Sequence, residues 1–179
     1  MGIYAKAGAN FTPAPAGTHG AVCVDIVDLG EVKTEYQGKA RTRHVVKIVW
    51  QIDELRDDGL LPFALRKTYT LSLHEKATLR KDLESWRGKA FTEEELRGFD
   101  LEVLLSKGCL LNVIHREANG STYANVSGIM KLPKGMSAPT PTGYVRECDR
   151  PQSDAAETAP LPGGGDDWNA PPDDESVPF

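Results

Sequence analysis

The chain has 179 residues, of which 40% are hydrophobic and 26% charged, a composition that suits one globular domain with additional terminal segments. Residues 1–135 hold 19 Lys and Arg against 17 Asp and Glu, whereas residues 136–179 hold 2 against 9, so an almost neutral body precedes an acidic tail. The sequence lacks a secretory h-region, an apolar stretch of about 18–20 residues and a C-x-x-C pair. We therefore expect a cytoplasmic protein that has no membrane partner and no disulfide framework.

Three strands are expected in the first half of the chain. Residues 20–29 are rich in Val and Ile and end at a glycine, which is typical of a strand. Residues 41–52 and 66–73 alternate polar and apolar side chains, as strands with one buried face do. The polar residues 30–39 between the first two strands predict a turn-rich loop. The apolar face of the second strand comprises Val46, Ile48, Trp50 and Ile52, and its polar face comprises Arg41, Arg43, Lys47 and Gln51.

Helical periodicity replaces strand alternation after the third strand. Residues 74–86 predict one helix, and the capping-box sequence of residues 92–95 predicts the start of a second, short one. Residues 109–115 and 122–132 predict two strands joined by a hairpin at Asn119-Gly120. This element order is that of the OB-fold. The expected fold class is therefore mainly β, a five-stranded OB-fold barrel with a helical insertion between the third and fourth strands.

Composition divides the chain into four segments. Residues 1–16 contain prolines and small residues and predict a flexible N-terminal arm, and residues 17–134 form the expected OB-fold domain. Eight of the twelve prolines lie after residue 135, where large apolar residues are sparse and the ordering entropy could not be offset by burial. We therefore expect residues 135–172 to be a disordered linker and residues 173–179 to be an acidic tip that binds other proteins.

The sequence carries no recognisable catalytic or metal-binding motif. Its four histidines are dispersed over nearly a hundred residues, without the H-E-x-x-H spacing, and no phosphate-binding glycine loop stands between a strand and a helix. We therefore expect a protein that is not an enzyme, with no catalytic residue, no metal ligand and no cofactor.

Cations on the second strand indicate a site for a polyanion. Alternate positions of this strand would present positive charges along one exposed face, and nearby aromatic rings could stack on bases. The same pattern also fits a solvated strand face that resists edge pairing, so charge alone leaves both interpretations open. The alternation of the third strand places Tyr69 on its apolar face and favours burial, unless a bulge turns the side chain outward. Trp50 and Trp86 are expected in the core. The candidate DNA-binding residues are Lys33, Tyr36, Lys39, Arg41, Arg43, Lys47, Arg66, Tyr69, Arg116 and Tyr123.

The last seven residues combine carboxylates with a C-terminal aromatic ring. A stiff Pro-Phe end behind acidic residues suits a partner pocket that is apolar at its base and basic at its rim. The OB-type element order, the Pro/Gly-rich acidic linker and the final Asp-Asp-Glu-Ser-Val-Pro-Phe together resemble the single-stranded-DNA-binding proteins of bacteria and, in the long helical stretch 74–105, of tailed phages. By this resemblance, the partner-binding residues are Asp173, Asp174, Glu175, Pro178 and Phe179.

The resemblance implies a protein that coats single-stranded DNA during replication, recombination or repair, in a bacterial host cell if it is phage-encoded, and recruits other proteins through its tip. Two alternatives stay open. An OB-type module could bind RNA or only protein, because no reader of a 2′-hydroxyl group is identifiable. A phage protein could instead use its acidic tail as a mimic of DNA. The oligomeric state is also open, since the N-terminal arm could pack on a second copy.

Overall fold

A computed structural model of the chain describes residues 12–150, apart from the side chain of Tyr36. Its centre is one antiparallel sheet of five strands in the spatial order β3-β2-β1-β4-β5. Short helices lie between the third and fourth strands. The strands are β1 (Gly17–Tyr36), β2 (Lys39–Leu55), β3 (Pro62–Thr70), β4 (Gly108–Ala118) and β5 (Ser121–Met130), and the α-helices are α1 (Thr78–Arg87) and α2 (Glu93–Arg97). Two 3-10 helices cover Leu101–Leu104 and Glu147–Asp149.

The predicted elements are present. The first four strands are longer than expected, whereas β5 is slightly shorter and α1 begins at Thr78 rather than at residue 74. The capping box is confirmed, because the Thr92 hydroxyl accepts from the Glu95 amide while the Glu95 carboxylate accepts from the Thr92 amide. The Asn119-Gly120 hairpin is also confirmed, with φ angles of 52° and 76° at these two positions. The prediction of a loop at residues 30–39 is wrong, because β1 continues to Tyr36 and the turn consists of Gln37 and Gly38.

The inner face of the sheet carries the main core. The predicted apolar side chains of β2 are at most 2% exposed, and helix α1 packs over them with Leu79, Leu83 and Trp86. The rings of Trp50 and Trp86 lie 6.0 Å apart, and the indole N–H of Trp86 donates to the carbonyl of Gly108 at 2.9 Å. Fully burying a large apolar side chain contributes about 1.5–3 kcal/mol, so this layer supplies most of the stability of the domain.

The sheet does not close into a barrel within the described residues. No ladder joins the edge strands β3 and β5 there, and α1 lies across the opening between them. Asp82 of α1 accepts from Lys67 Nζ at 2.7 Å and from the Tyr69 hydroxyl at 2.8 Å, whereas Ser85 donates to the carbonyl of Ile129 at 2.6 Å. The helix thus provides polar partners to both edges that barrel closure would otherwise join. None of the described helices has the length and apolarity needed to cross a membrane.

Both terminal segments differ from the sequence expectation where they are described. In the expected arm 1–16, Ala14 is 2% exposed and its carbonyl accepts from His115 Nε2 at 2.8 Å, so residues 12–16 are anchored to the sheet. In the expected linker 135–172, residues 138–149 lie against the sheet, because polar anchors and the packing of Tyr144 hold them there. The remainder of both segments lies outside the described residues.

Candidate nucleic-acid interface

The β1–β2 hairpin extends beyond the sheet as a two-stranded ribbon. The last β3 partner of β2 is Thr70, opposite Val45, whereas β1 and β2 stay paired to the turn between Tyr36 and Lys39. Six residues of each strand therefore form this ribbon, a length of about 20 Å at 3.3 Å per residue. The ribbon is exposed to solvent on both faces, which is the situation that permits contact with an extended ligand.

Three predicted cations follow one face of the ribbon and of β2. Arg43 lies opposite Val32 and Arg41 opposite Thr34, and both share the side of β2 that carries Lys47. Side chains on alternate residues of a strand are about 6.6 Å apart. We call this side of the sheet, opposite the core, the outer face. Arg41 is exposed and Arg43 is half-buried.

Lys39 also lies on the outer face, at the tip of the ribbon, where it is exposed. Lys33 instead pairs with Thr42 and therefore occupies the other side of the ribbon, next to Glu31 and Glu35. Tyr36, one of the candidate DNA-binding residues, occupies the last position of β1, and its side chain lies outside the described residues. The structure thus separates Lys33 from the other predicted cations of the ribbon.

Strand β3 continues the outer face beyond β2. Arg66 is the cross-strand neighbour of Val49, and Thr68 is the neighbour of Lys47, so both carry the polar face one strand further. Tyr69 points the other way. Its side chain is 3% exposed, and burial together with the Asp82 carboxylate raises the pKa of its phenol well above the ordinary value. The predicted stacking of Tyr69 on a base is therefore wrong, since no bulge turns its ring out of the core.

Arg116 and Tyr123 form a second group at the β4–β5 hairpin. They are direct cross-strand partners, with Arg116 exposed and Tyr123 half-buried. Because β4 runs antiparallel to β1 and leaves it at Gly17, this hairpin projects from the end of the sheet opposite to the β1–β2 ribbon. The candidate residues therefore fall into two groups, at the two ends of the sheet, rather than into one continuous patch.

Residues 138–149, here called the strap, cross the outer face between these groups. Thr142 exchanges two hydrogen bonds with the side-chain amide of Gln51, at 2.7 and 2.8 Å, in the manner of a backbone pair in a sheet. Val22, Val24 and Val49 pack with the ring of Tyr144 in a small second core. The sequence pattern predicted Gln51 on a solvent-exposed polar face, but its side chain is only 3% exposed because the strap covers it.

The strap is anchored on Asp25, a residue that the sequence analysis missed. Its carboxylate is 1% exposed and accepts from the Tyr144 hydroxyl at 3.1 Å, from Arg146 Nε at 3.3 Å and from the Glu147 amide at 2.8 Å. Arg146 also donates to Glu102, and these two carboxylates raise the pKa of its guanidinium. The available signal was an acid in the middle of the apolar run of residues 21–27, which must find partners when it is buried.

The strap also reaches the predicted cationic face directly. Glu147 forms an ion pair with Lys47 at 2.5 Å, and the two side chains are 33% and 16% exposed. A carboxylate of the chain therefore already pairs with the ammonium group of Lys47. A cleft of about 160 Å³, half open to solvent, lies beside the strap and is lined by residues that include Cys23, Pro141 and Tyr144.

The five predicted partner-binding residues, Asp173, Asp174, Glu175, Pro178 and Phe179, lie outside the described residues. Comparison with models of known protein families found no match, and comparison with curated protein sequences found none either.

Proposed function

We propose that the chain is a non-catalytic protein that binds single-stranded DNA without sequence preference. The observation that carries this proposal is the series of cations Lys39, Arg41, Arg43 and Lys47 along the outer face, at the alternate positions of one strand. Phosphate contacts of this kind supply sequence-independent affinity, and stacking on aromatic rings adds about 1–3 kcal/mol per base.

We further propose that the domain is an OB-fold. The strand order places β3 and β5 at the two edges, so that closing the barrel would require only these two strands to meet. In OB-folds, oligonucleotides contact the face of strands 2 and 3 and the loops that join strands 1 to 2 and 4 to 5. Lys47 and Arg66 occupy the first of these places, Arg41 and Arg43 the second, and Arg116 with Tyr123 the third. All three therefore belong to the proposed interface.

The strap regulates access to the middle of this interface. DNA that runs from the ribbon onto β2 and β3 meets the pair between Lys47 and Glu147, and a phosphate must replace the carboxylate there. The exchange leaves Glu147 without its partner, so DNA binding bears the loss of this ion pair, on the order of 1 kcal/mol.

The acidic tail has a separate role in this proposal. Residues 151–179 hold seven acids and no Lys or Arg, so the net charge of −5 for the whole chain becomes +2 without them. By the resemblance to single-stranded-DNA-binding proteins, the final Pro178 and Phe179 recruit proteins of DNA replication, recombination or repair. The remaining tail competes weakly with DNA for the cationic face at low salt.

Replacement of both ribbon arginines tests the proposal. Arg41→Ala with Arg43→Ala should weaken binding of labelled oligo-dT and of a mixed-sequence oligonucleotide equally. Two lost phosphate contacts should make the slope of log K against log[salt] shallower by roughly 1.4. The matched control is Lys33→Ala, which removes a cation from the other side of the same ribbon. Fluorescence anisotropy would measure the affinity and its salt dependence, in the full chain and in a chain ending at Arg150.

Equal loss of affinity in the control and in the double variant would contradict the assignment of the outer face. Absence of oligo-dT binding at low salt, in either chain length, would contradict the proposed function itself. Preference for oligo-U over oligo-dT would favour RNA as the ligand. Binding of a nucleic-acid enzyme by residues 151–179 alone, without DNA binding by the body, would favour the DNA-mimic alternative.

A further inference from the structure

A histidine and two carboxylates meet where β1 begins and β2 ends. His19 lies on β1, and Asp53 and Glu54 lie on β2, with one ligand atom of each residue within 4.8 Å of the others. The side chain of His19 is 10% exposed, whereas Asp53 and Glu54 are exposed to solvent. Within residues 12–150, this is the one cluster of three such groups at that spacing.

The hydrogen bonds around His19 fix which ring nitrogen carries a proton. Nε2 lies 2.8 Å from the carbonyl oxygen of Pro15, which can only accept, so Nε2 is the donor. In the neutral ring, Nδ1 then presents a lone pair, and it points at Asp53 Oδ1 at 3.6 Å, beyond hydrogen-bonding distance. The other oxygen of Asp53 is held by the Gly20 amide at 3.2 Å. The imidazole nitrogen and the carboxylate oxygen thus lie near each other without a hydrogen bond between them.

We propose that this cluster is a site for a divalent transition-metal ion of the Zn²⁺ type. His19 Nδ1 and one oxygen each from Asp53 and Glu54 are the protein ligands, and water completes the coordination. Zn²⁺ binds imidazole nitrogen and carboxylate oxygen at about 2.0–2.2 Å, which places two tetrahedral ligand atoms about 3.4 Å apart. The separation of 3.6 Å between His19 and Asp53 is close to this value.

The surroundings of the site have the features that metal-binding histidines share. A metal-bound histidine usually donates its second N–H to a backbone carbonyl or a carboxylate, and here Pro15 accepts that bond. The pairing irregularity of β2 between Gln51 and Leu55 interrupts strict alternation, so that consecutive Asp53 and Glu54 reach one site. A bound ion would join the start of β1 to the end of β2.

Zinc titration of the purified full chain tests this inference. The titration uses a Cys148→Ser background, because Cys148 is an exposed thiol, whereas burial raises the pKa of both Cys23 and Cys109 and keeps them protonated. Competition with a chromogenic chelator measures the affinity, and heating curves with and without Zn²⁺ measure the stabilisation.

His19→Gln and Glu54→Gln should each weaken zinc binding by about tenfold or more, and should abolish the rise in Tm that zinc produces in the parent chain. The matched control is His44→Gln, because His44 is a histidine that contacts a single carboxylate, that of Asp28 at 2.6 Å. It should change zinc affinity less than twofold. Zinc should also shift the imidazole ¹⁵N resonances of His19 and leave those of His44 in place.

Two results would overturn the inference. The first is zinc affinity that is unchanged in His19→Gln and Glu54→Gln, which would place any binding on other residues, such as the acids after residue 150. The second is a His19 ring that carries protons on both nitrogens at neutral pH and whose ¹⁵N resonances do not shift when zinc is added, which would make the cluster an ion pair. The NMR measurement needs only the parent chain, so it decides the question even if a variant fails to fold.

Discussion

Substitution of Asp25 by alanine should release the strap from the outer face. In the folded chain, three groups of the strap donate to this buried carboxylate: the Tyr144 hydroxyl, the Arg146 guanidinium and the Glu147 amide. A hydrogen bond to a charged group contributes about 1.5–3 kcal/mol, and breaking a buried charged network typically costs 3–5 kcal/mol. Because the strap can move away and be hydrated, we expect a loss near the lower limit, about 3 kcal/mol.

Hydrogen exchange measured by mass spectrometry gives the local readout. The amides of Thr142 and Glu147 donate to the side chains of Gln51 and Asp25, so both should be protected in the parent chain. A loss of about 3 kcal/mol corresponds to roughly 100-fold faster exchange in residues 138–150. The global Tm should decrease by about 10 °C if the strap and the sheet unfold together.

Asp28→Ala is the matched control, because Asp28 is an exposed acid on the same strand whose hydrogen bonds within residues 12–150 go to Gly30 and His44. Its substitution should leave exchange in the strap unchanged. Equal exchange of the Thr142 amide in the parent chain and in Asp25→Ala would refute the reasoning, as would unprotected exchange of residues 138–150 in the parent chain. Either result would mean that Asp25 does not hold the strap on the sheet in solution.

Two further predictions concern the charges of the domain. Glu147→Gln should tighten binding of oligo-dT by about fivefold at low salt, because the ion pair between Glu147 and Lys47, worth on the order of 1 kcal/mol, is removed. The control Asp149→Asn makes the same charge change in the strap and should have little effect in the same anisotropy assay. Hydrogen bonds from Arg80 to Glu84, and from the Thr92 amide and Arg87 to Glu95, lower the pKa of these carboxyls below their ordinary value of 4.5. The contribution of these two carboxylates to stability should therefore be complete above about pH 4.5 and be lost as the pH falls through the lowered pKa values. Urea unfolding from pH 6 to pH 3 should show that the free energy of unfolding declines less in Glu84→Gln and Glu95→Gln than in the parent chain.

Local sequence patterns determined the elements of the body and the inner face of the sheet. The alternation from Val46 to Ile52 identified the buried side of β2, because a strand presents every second residue to one face. The Asn-Gly pair at 119–120 and the Thr-x-x-Glu capping box specify backbone conformations through residues that are adjacent in sequence. The strand positions of Arg41, Arg43 and Lys47 followed from the same rule.

Only the tertiary structure decided what lies on the outer face. The bulge between Cys23 and Asp25 turns Asp25 towards the strap, and no local pattern marks where a bulge falls. The strap then contacts residues about 90 to 120 positions earlier in the chain, through single hydrogen bonds that leave no periodic trace in a Pro-rich segment. The meeting of His19 with Asp53 has the same origin, since strand pairing brings together side chains that the sequence keeps 34 residues apart.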